Sequence, residues 1–511
     1  MRGIVTMKIE TDKPNILLIM SDQHSKHVLS CYGNKIVRTP NLDRLAAEGI
    51  RFTDAYCPAP LCVPSRMSFM TARTPSRNRV WTNKNILNSE TPTWAHLMRL
   101  AGYDTALIGR MHFEGPDQRH GFDERPIGER SAGPPGMKLR GGPMHTRFPS
   151  STHGQSRPSV EIAGKGRTLR QWADEARMQA AVDWIEARGR NPGPHPFAAV
   201  AGFVLPHCPF IAPESLFDYY YGRIDVPQIE EDQPLSTRRF RARCDILEPP
   251  LDPEHIRVAR AAYFGLCEQV DILIGRVLDA LDRSGLAENT LVIYTSDHGD
   301  MAGEHGCWWK SIYYEGSAGI PMIARWPGVI RTGTTQSAIC SLMDIGPTFA
   351  EIAGAEFPYP VQGRSLLRLM TDETDPDWIQ ETVSEFVERR GMIPSRMIRS
   401  GPWKLWQDHG PDAPPPVLFN LQDDPDELRD LADDPDHTEI RRDLLEKLRA
   451  DWNPDTVRRE CAEREQHYDL LAAHTRATDA QSPDNIEYPP AEYEADVRLL
   501  PQQKKPGKGR E

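Results

Sequence analysis

The sequence predicts an α/β protein. The large domain has a central, mostly parallel sheet flanked by helices, and a small C-terminal domain carries a short antiparallel sheet and a helix. Three observations carry that prediction. Continuous apolar runs of strand length alternate with amphipathic stretches of helical period, the pattern of strands buried on both faces. Four of those runs stop abruptly at His, Asp, Arg or Gln. From about residue 371 the texture changes to short alternating pieces separated by Gly and Pro, which read as antiparallel strands. A chain of 511 residues exceeds what one hydrophobic core serves. The expected bounds are 13–370 for the large domain, 371–465 for the small one, and 466–511 for an extended polar tail, read as an arm for oligomerisation.

The first run, residues 15–20, ends in Ser21-Asp22-Gln23-His24. Polar residues at such a strand end sit where open α/β sheets place ligands, with a helix N-cap as the lesser reading of Asp22. A helix over 40–48 stops at Gly49, and a strand follows around 50–55. TPTWAHLMRLA (91–101) reads as a helix ended by Gly102, and the next strand, 103–108, runs into Gly109-Arg110-Met111-His112. Residues 125–165, rich in Gly, Pro, Ser and Arg, have no period and read as a long insertion or active-site loop. A helix over 168–189 has Leu169, Trp172, Ala173, Ala176, Ala180 and Trp184 at helical spacing. The strand 198–205 after it ends in Pro206-His207-Cys208-Pro209. Its prolines deny His207 a place in a regular ladder; taken alone it reads as a satisfied loop histidine, but its place at a fourth strand end favours a site residue. An irregular segment, 222–255, precedes a helix at about 255–281 and the strand 290–295, which stops at Ser296-Asp297-His298-Gly299-Asp300. Residues 319–325 form a further strand, and SLMDIGPTFAEIAG holds the last helix of the large domain. In the small domain TVSEFVE, RMIRS, WKLWQ and VLFNLQ read as strands, followed by an acidic turn and a helix.

Composition narrows the class. Hydrophobic residues make up 39% and charged residues 26%, ordinary for an enzyme, and a formal charge of -12 argues against a nucleic-acid partner. The first fifteen residues hold no apolar signal core, and no apolar run reaches membrane-spanning length, so a cytoplasmic protein with no membrane partner is expected. Nine cysteines occur without any CxxC pair, which fits reduced thiols.

The most informative stretch is PAPLCVPSRMSFMTA, residues 58–72. Pro64 fixes its own φ and extends Val63, making a turn that opens an amphipathic helix with Arg66 in its first turn. Cys62 then lies near a helix N-terminus and a fixed cation, which stabilise an anion or an anionic nucleophile. A buried structural cysteine beside a surface arginine is the alternative.

Cys62-Val63-Pro64-Ser65-Arg66 followed by MSFMTA resembles the signature of the sulfatase family. NILLIMSDQ, GYDTALIGRMHFEGPDQRHGFDER and SDHGDMAGEHGCWWK resemble sulfatase segments in the same order. The resemblance spans about residues 13–435 and lies nearest choline sulfatases, with phosphonate monoester hydrolases as neighbours. It implies an alkaline-phosphatase-like fold and a cysteine converted to formylglycine, whose hydrated aldehyde attacks the ester. A formylglycine-generating enzyme is then a maturation partner, and a homo-oligomer, dimer or tetramer, is expected.

The resemblance assigns roles. Asp22, Gln23, Asp297 and His298 match positions that bind one divalent cation; calcium is the family's ion, and the imidazole of His298 makes manganese a competitor. Asp300 is read as orienting a loop. Cys62, Arg66, Arg110, His112, His207 and Lys310 match the nucleophile, cationic and acid-base positions. The family has lysine where this chain has Arg110, which keeps the charge but changes its shape. In the implied mechanism His207, helped by Lys310, assists the departing alcohol, and His112 takes the proton whose loss regenerates the aldehyde. The expected reaction is hydrolysis of a small-molecule sulfate monoester to an alcohol and inorganic sulfate. A phosphonate monoester or phosphate diester is the alternative substrate, and an inactive binding module is the reading from another class. Choline sulfate would need an aromatic or carboxylate-lined pocket, for which Trp308, Trp309 and Glu385 are the local candidates.

Overall fold

The computed structural model describes residues 13–129, 135, 154–371, 374–389 and 392–478, together with the backbone of 497–498. Eight strands form the central sheet: β1 (Asn15–Asp22), β2 (Ile50–Phe52), β3 (Asp104–Gly109), β4 (Glu124–Ile127), β5 (Phe197–Pro206), β6 (Thr290–Ser296), β7 (Met322–Arg325) and β8 (Thr334–Gln336). Their order is β8-β2-β7-β6-β1-β5-β3-β4. β1 lies at the centre, with Leu18 opposite Val200 on one side and Ile293 on the other. Every residue of β5 and β6 is buried, which is why these strands read as unbroken apolar runs. The sheet is parallel except for β7, which runs against both β2 and β6.

The flanking helices include α1 (Pro40–Ala47), α2 (Cys62–Thr71), α3 (Trp94–Leu100), α4 (Leu169–Arg190), α5 (Pro253–Arg283) and α6 (Ile345–Ala353). Local chemistry sets their starts. Thr168 and Gln171 form a reciprocal capping box at α4, and Asp252 caps α5 with Pro253 at its first position. The two long helices pack on each other and on β5.

In the small domain β9 (Glu381–Glu388), β10 (Ile393–Ser400), β11 (Trp403–Asp408) and β12 (Val417–Asn420) form an antiparallel meander. The helices α7 (Thr438–Arg449) and α8 (Pro454–Thr478) follow. Val387, Ile398, Leu405, Leu418, Leu448 and Trp452 make a second core, which takes in Trp81 from the large domain.

Four features depart from the sequence reading. Glu124–Ile127 is a strand inside the expected loop; Pro126 is tolerated because this strand lies at the sheet edge. Leu235–Arg243, within the expected irregular segment, is a helix whose buried positions include Ser236, Thr237 and Arg241, so no apolar period marks it. α8 continues through residues 466–478, where an extended tail is expected; its buried face mixes Val457, Cys461 and Ala472 with Glu465 and Thr475. Val497–Arg498 pairs antiparallel with Gly164–Gly166, and the remainder of the tail lies outside the described residues. Among the described residues no helix is long and apolar enough to cross a membrane.

Candidate active site

The four runs that end in polar residues are four neighbours in the sheet, β6-β1-β5-β3, all parallel. Their C-terminal ends therefore deliver Asp297 and His298, Asp22 and Gln23, His207, and Arg110 and His112 to one edge, the usual ligand edge of an open α/β sheet. Two of these residues turn sharply out of their strands, Gln23 at φ 70° and His112 at φ 59°. Gly202 on β5 lets the end of β3 come close: Arg110 donates its N–H to the Gly202 carbonyl at 2.9 Å. A Cβ at Gly202 would sit 1.9 Å from the Arg110 carbonyl oxygen.

Cys62 opens α2, a helix with all ten residues buried, after an extended Leu61. Its Sγ lies 3.2 Å from His298 Nε2 and 3.7 Å from Asp22 Oδ1. Burial alone would push the thiol up. Lys310 and His298, with hydrogen bonds from His112 and His207, reverse this and hold it well below the usual thiol value. His298 Nδ1 donates to the Gly299 carbonyl at 3.0 Å, so Nε2 is the atom turned toward Cys62. Burial would lower this imidazole, but Asp297 and Cys62 raise it, and Nε2 becomes an acceptor only when the ring is neutral.

Asp22, Cys62, Asp297 and His298 bring four donor atoms within 4.8 Å of one another, all buried. Burial, with the charge of Asp22 beside it, pushes the Asp297 carboxyl up against the pull of Arg66. Burial and Cys62 act the same way on Asp22, but Arg110, His207 and Arg66 prevail and hold it below the usual carboxylate range. Two dry carboxylates in mutual repulsion, with an imidazole beside them, fit a hard divalent cation. Gln23 is committed elsewhere. Its amide nitrogen donates to Asp300 at 2.5 Å, and its oxygen accepts from Lys310. Asp300 also accepts from the backbone of Ala302 and Trp309, pinning the loop after β6.

The cations are held in turn. Arg66, fully buried, donates Nε to Asp297 at 2.7 Å and Nη2 to Asp22 at 3.3 Å. Arg110 donates Nε to Asp22 at 2.7 Å, Nη1 to Glu129 at 2.8 Å, and Nη2 to His112 Nδ1 at 2.8 Å. That last bond places the proton of neutral His112 on Nε2. His207 Nε2 stands 2.9 Å from Lys310 Nζ. Burial, with Lys310 and Arg170 beside it, pushes His207 down to about 3.

Two residues escape the sequence reading. Glu129 accepts from Arg110 and from the N–H groups of Met111 and His112. Burial opposes its charge, yet Arg110 and His112 hold its carboxyl at about 2. It lies in the stretch taken for an aperiodic loop. Arg170 contacts His207 Nδ1 from the first turn of α4; only its unfavourable charge at a helix start could have singled it out.

The three candidates for a choline pocket do not come together. Trp308 and Trp309 are both 0% exposed, and Trp308 packs on Phe210. Glu385 is buried on β9, accepts from Ser76, and faces Arg396 at 3.5 Å.

A buried, acidified thiol sits beside two carboxylates and among cations on the ligand edge of this sheet. That combination defines a metal-associated hydrolase for tetrahedral anionic esters. The comparisons narrow it further. Residues 14–355 match the family described as Sulfatase, and residues 303–453 match N-sulphoglucosamine sulphohydrolase, C-terminal. The chain is 33% identical over 441 residues to a choline-sulfatase of Rhizobium meliloti (strain 1021), covering 83% of each chain. It is 27% identical over 509 residues to an N-acetylglucosamine-6-O-sulfatase of Bacteroides thetaiotaomicron, covering 86% of each. Its structure superposes on the phosphonate monoester hydrolase of Agrobacterium radiobacter with a TM-score of 0.68 at 25% identity, over 88% of this chain and 96% of that one. The chain belongs to the sulfatase family and is a sulfuric ester hydrolase with a formylglycine-type site.

Proposed function

We propose that this enzyme hydrolyses sulfate monoesters to an alcohol and inorganic sulfate, with residue 62 as formylglycine. The observation that carries the proposal is the setting of Cys62, 3.2 Å from His298 Nε2 and held as an anion by Lys310 and its histidine neighbours. Such a setting favours an oxyanion at this position as it favours a thiolate. Formylglycine supplies a hydrated aldehyde as nucleophile there. Asp22, Asp297 and His298 would hold the divalent cation, which supplies Lewis-acid chemistry.

The chain's own residues do the rest. Arg66 ties Asp22 to Asp297 and so fixes the two carboxylates relative to Cys62. Arg110 carries positive charge toward the sulfuryl oxygens and holds His112 through Nδ1. His112 Nε2 is the atom that exchanges a proton with residue 62. Lys310 and His207 stand as a pair 2.9 Å apart and hold the proton that the departing alcohol takes. Glu129 keeps Arg110 and His112 in register.

The test is a panel of choline sulfate, an aryl sulfate, an alkyl sulfate and a phenyl phosphonate, assayed with the modified fraction of residue 62 measured in the same sample. Sulfate esters are expected to turn over with the highest kcat/KM, and only in modified protein. A phosphonate that outpaces every sulfate would replace this reading. Asp297→Ala is expected to lose bound metal by elemental analysis, and retention at normal affinity would move the metal site elsewhere.

A further inference from the structure

Among the described residues Arg170 is the site arginine without a carboxylate partner. Arg66 has Asp297 at 2.7 Å, and Arg110 has Asp22 and Glu129 at 2.7 and 2.8 Å. No carboxylate among the described residues pairs with Arg170. Asp174, one turn along α4, is spent on Arg177 at 2.6 Å and on the N–H groups of Val204 and Leu205. Arg170 also stands in the first turn of a 22-residue helix, where a cation opposes the helix dipole. Burial disfavours its charge as well.

Its contact with His207 cannot satisfy it. His207 is approached by Arg170 at Nδ1 and by Lys310 at Nε2, 2.9 Å away. Neither cation has an acceptor to offer, and a neutral imidazole has only one acceptor nitrogen. The Cys208 carbonyl, 2.8 Å from Nδ1, competes for that nitrogen, and even as an acceptor Nδ1 takes one of the guanidinium's five N–H groups and brings no countercharge. A guanidinium is always charged and presents a planar fork suited to carboxylate, sulfate or phosphate.

We infer that Arg170 receives a second anionic group, carried by the alcohol part of the substrate. The inference rests on the sulfate-ester reading above, in which His207 and Lys310 mark the departing alcohol, since Arg170 flanks that pair on the side of Nδ1. It names a substrate class: sulfate esters of alcohols that bear a carboxylate or a further sulfate. A quaternary ammonium such as choline would meet like charge there.

The test compares 4-carboxyphenyl sulfate with its neutral isostere 4-carbamoylphenyl sulfate, and both with choline sulfate. The wild-type kcat/KM is expected to favour the carboxylate over the carbamoyl ester by about 10-fold or more, the worth of a hydrogen bond to a charged group. In Arg170→Gln that ratio is expected to fall to near one, with Arg170→Lys in between. A wild-type ratio near one, or a choline ester preferred to both, overturns the inference. So does an Arg170→Gln protein that loses both aryl esters by the same factor, because Arg170 would then hold the sulfuryl group. Calorimetric binding of both esters to Cys62→Ala protein, loaded with calcium, reads the same ratio without turnover. A binding ratio kept in protein that turns over no ester would sink the hydrolysis reading and leave this one standing.

Discussion

The cluster around Cys62 and the cluster that ties the two domains together are built from the same chemical groups in different arrangements. In the second, Lys26 meets Glu315 at 2.6 Å, Glu315 meets Lys404 at 2.8 Å, and Lys404 meets Glu427 at 2.5 Å. The backbone N–H of Glu315 donates to Glu427 at 2.6 Å. Signs alternate along the chain of four, two lysines against two glutamates, so the group is complete without a ligand. Around Cys62 the signs alternate only in part. Arg66 bridges Asp297 and Asp22, and Arg110 bridges Asp22 and Glu129. But Asp22 and Asp297 also lie side by side with Cys62 and His298, and Arg170 and Lys310 converge on the one imidazole of His207. Alternation makes a clasp between domains. Like charges set side by side leave a site that a bound cation and anion would complete.

The largest effect that separates the two clusters is expected at Cys62. Cys62→Ala should lower kcat/KM by on the order of 10⁴-fold or more, the scale of losing a nucleophile, while its thermal midpoint stays at or above that of wild type. Multiple turnover at the wild-type rate would refute the role of the residue, and a collapse in stability would make this cluster structural too. The clasp should behave in reverse. Glu315→Ala leaves Lys26 and Lys404 facing each other without their shared carboxylate, and is expected to destabilise by about 3–5 kcal/mol with little change in kcat/KM of the folded protein. Denaturant melts and initial rates on one preparation check both halves.

Glu129 lies between these extremes, since it touches Arg110 and His112, the residues proposed to act on substrate. Glu129→Gln keeps the shape but weakens the hold on Arg110 and His112, and should cost about 10–100-fold in kcat with metal content unchanged. Glu129→Asp should recover part of the loss. A change in metal content instead would show that Glu129 serves the carboxylates and not the cations. The smallest effect is the pH dependence of the clasp. Burial would push Glu315 up, but Lys26 and Lys404 hold its carboxyl well below the usual 4.5. A depressed carboxylate contributes stability that is fully present above 4.5 and lost as pH falls below it. The difference in thermal midpoint between wild type and Glu315→Gln should therefore be widest at neutral pH and narrow toward acid; a gap that widens on acidification would reverse the assignment.

The parts of the site that were legible in the sequence are those where two independent patterns coincide. Asp22, Arg110, His207 and Asp297 follow apolar runs of strand length, and a buried strand announces itself by composition because both its faces lie under helices. Cys62 and Arg66 stand in a helix opening whose chemistry is local. Glu129 and Arg170 carried no such mark. The first follows an edge strand too short to show a period, and the second lies on a helix whose period absorbs it. The clasp was invisible for the same reason, since Lys26, Glu315, Lys404 and Glu427 lie in four unrelated segments and nothing in any one of them calls for a partner. Trp308 and Trp309, adjacent to the site in sequence, are both buried, which no local pattern announces.

The sequence by itself determined the classes of element, the strand ends that carry polar residues, and the helix opening that holds Cys62 and Arg66, because each depends on backbone propensity and on residues within a few positions of one another. Only the tertiary structure decided that β6, β1, β5 and β3 are neighbours, that β7 runs against the sheet, and that one arginine of the site has no carboxylate partner among the described residues. Strand order and charge pairing join residues separated by up to hundreds of positions. Such contacts are settled by which surfaces bury together and which charges can be satisfied in the dry interior, and no local pattern records that choice.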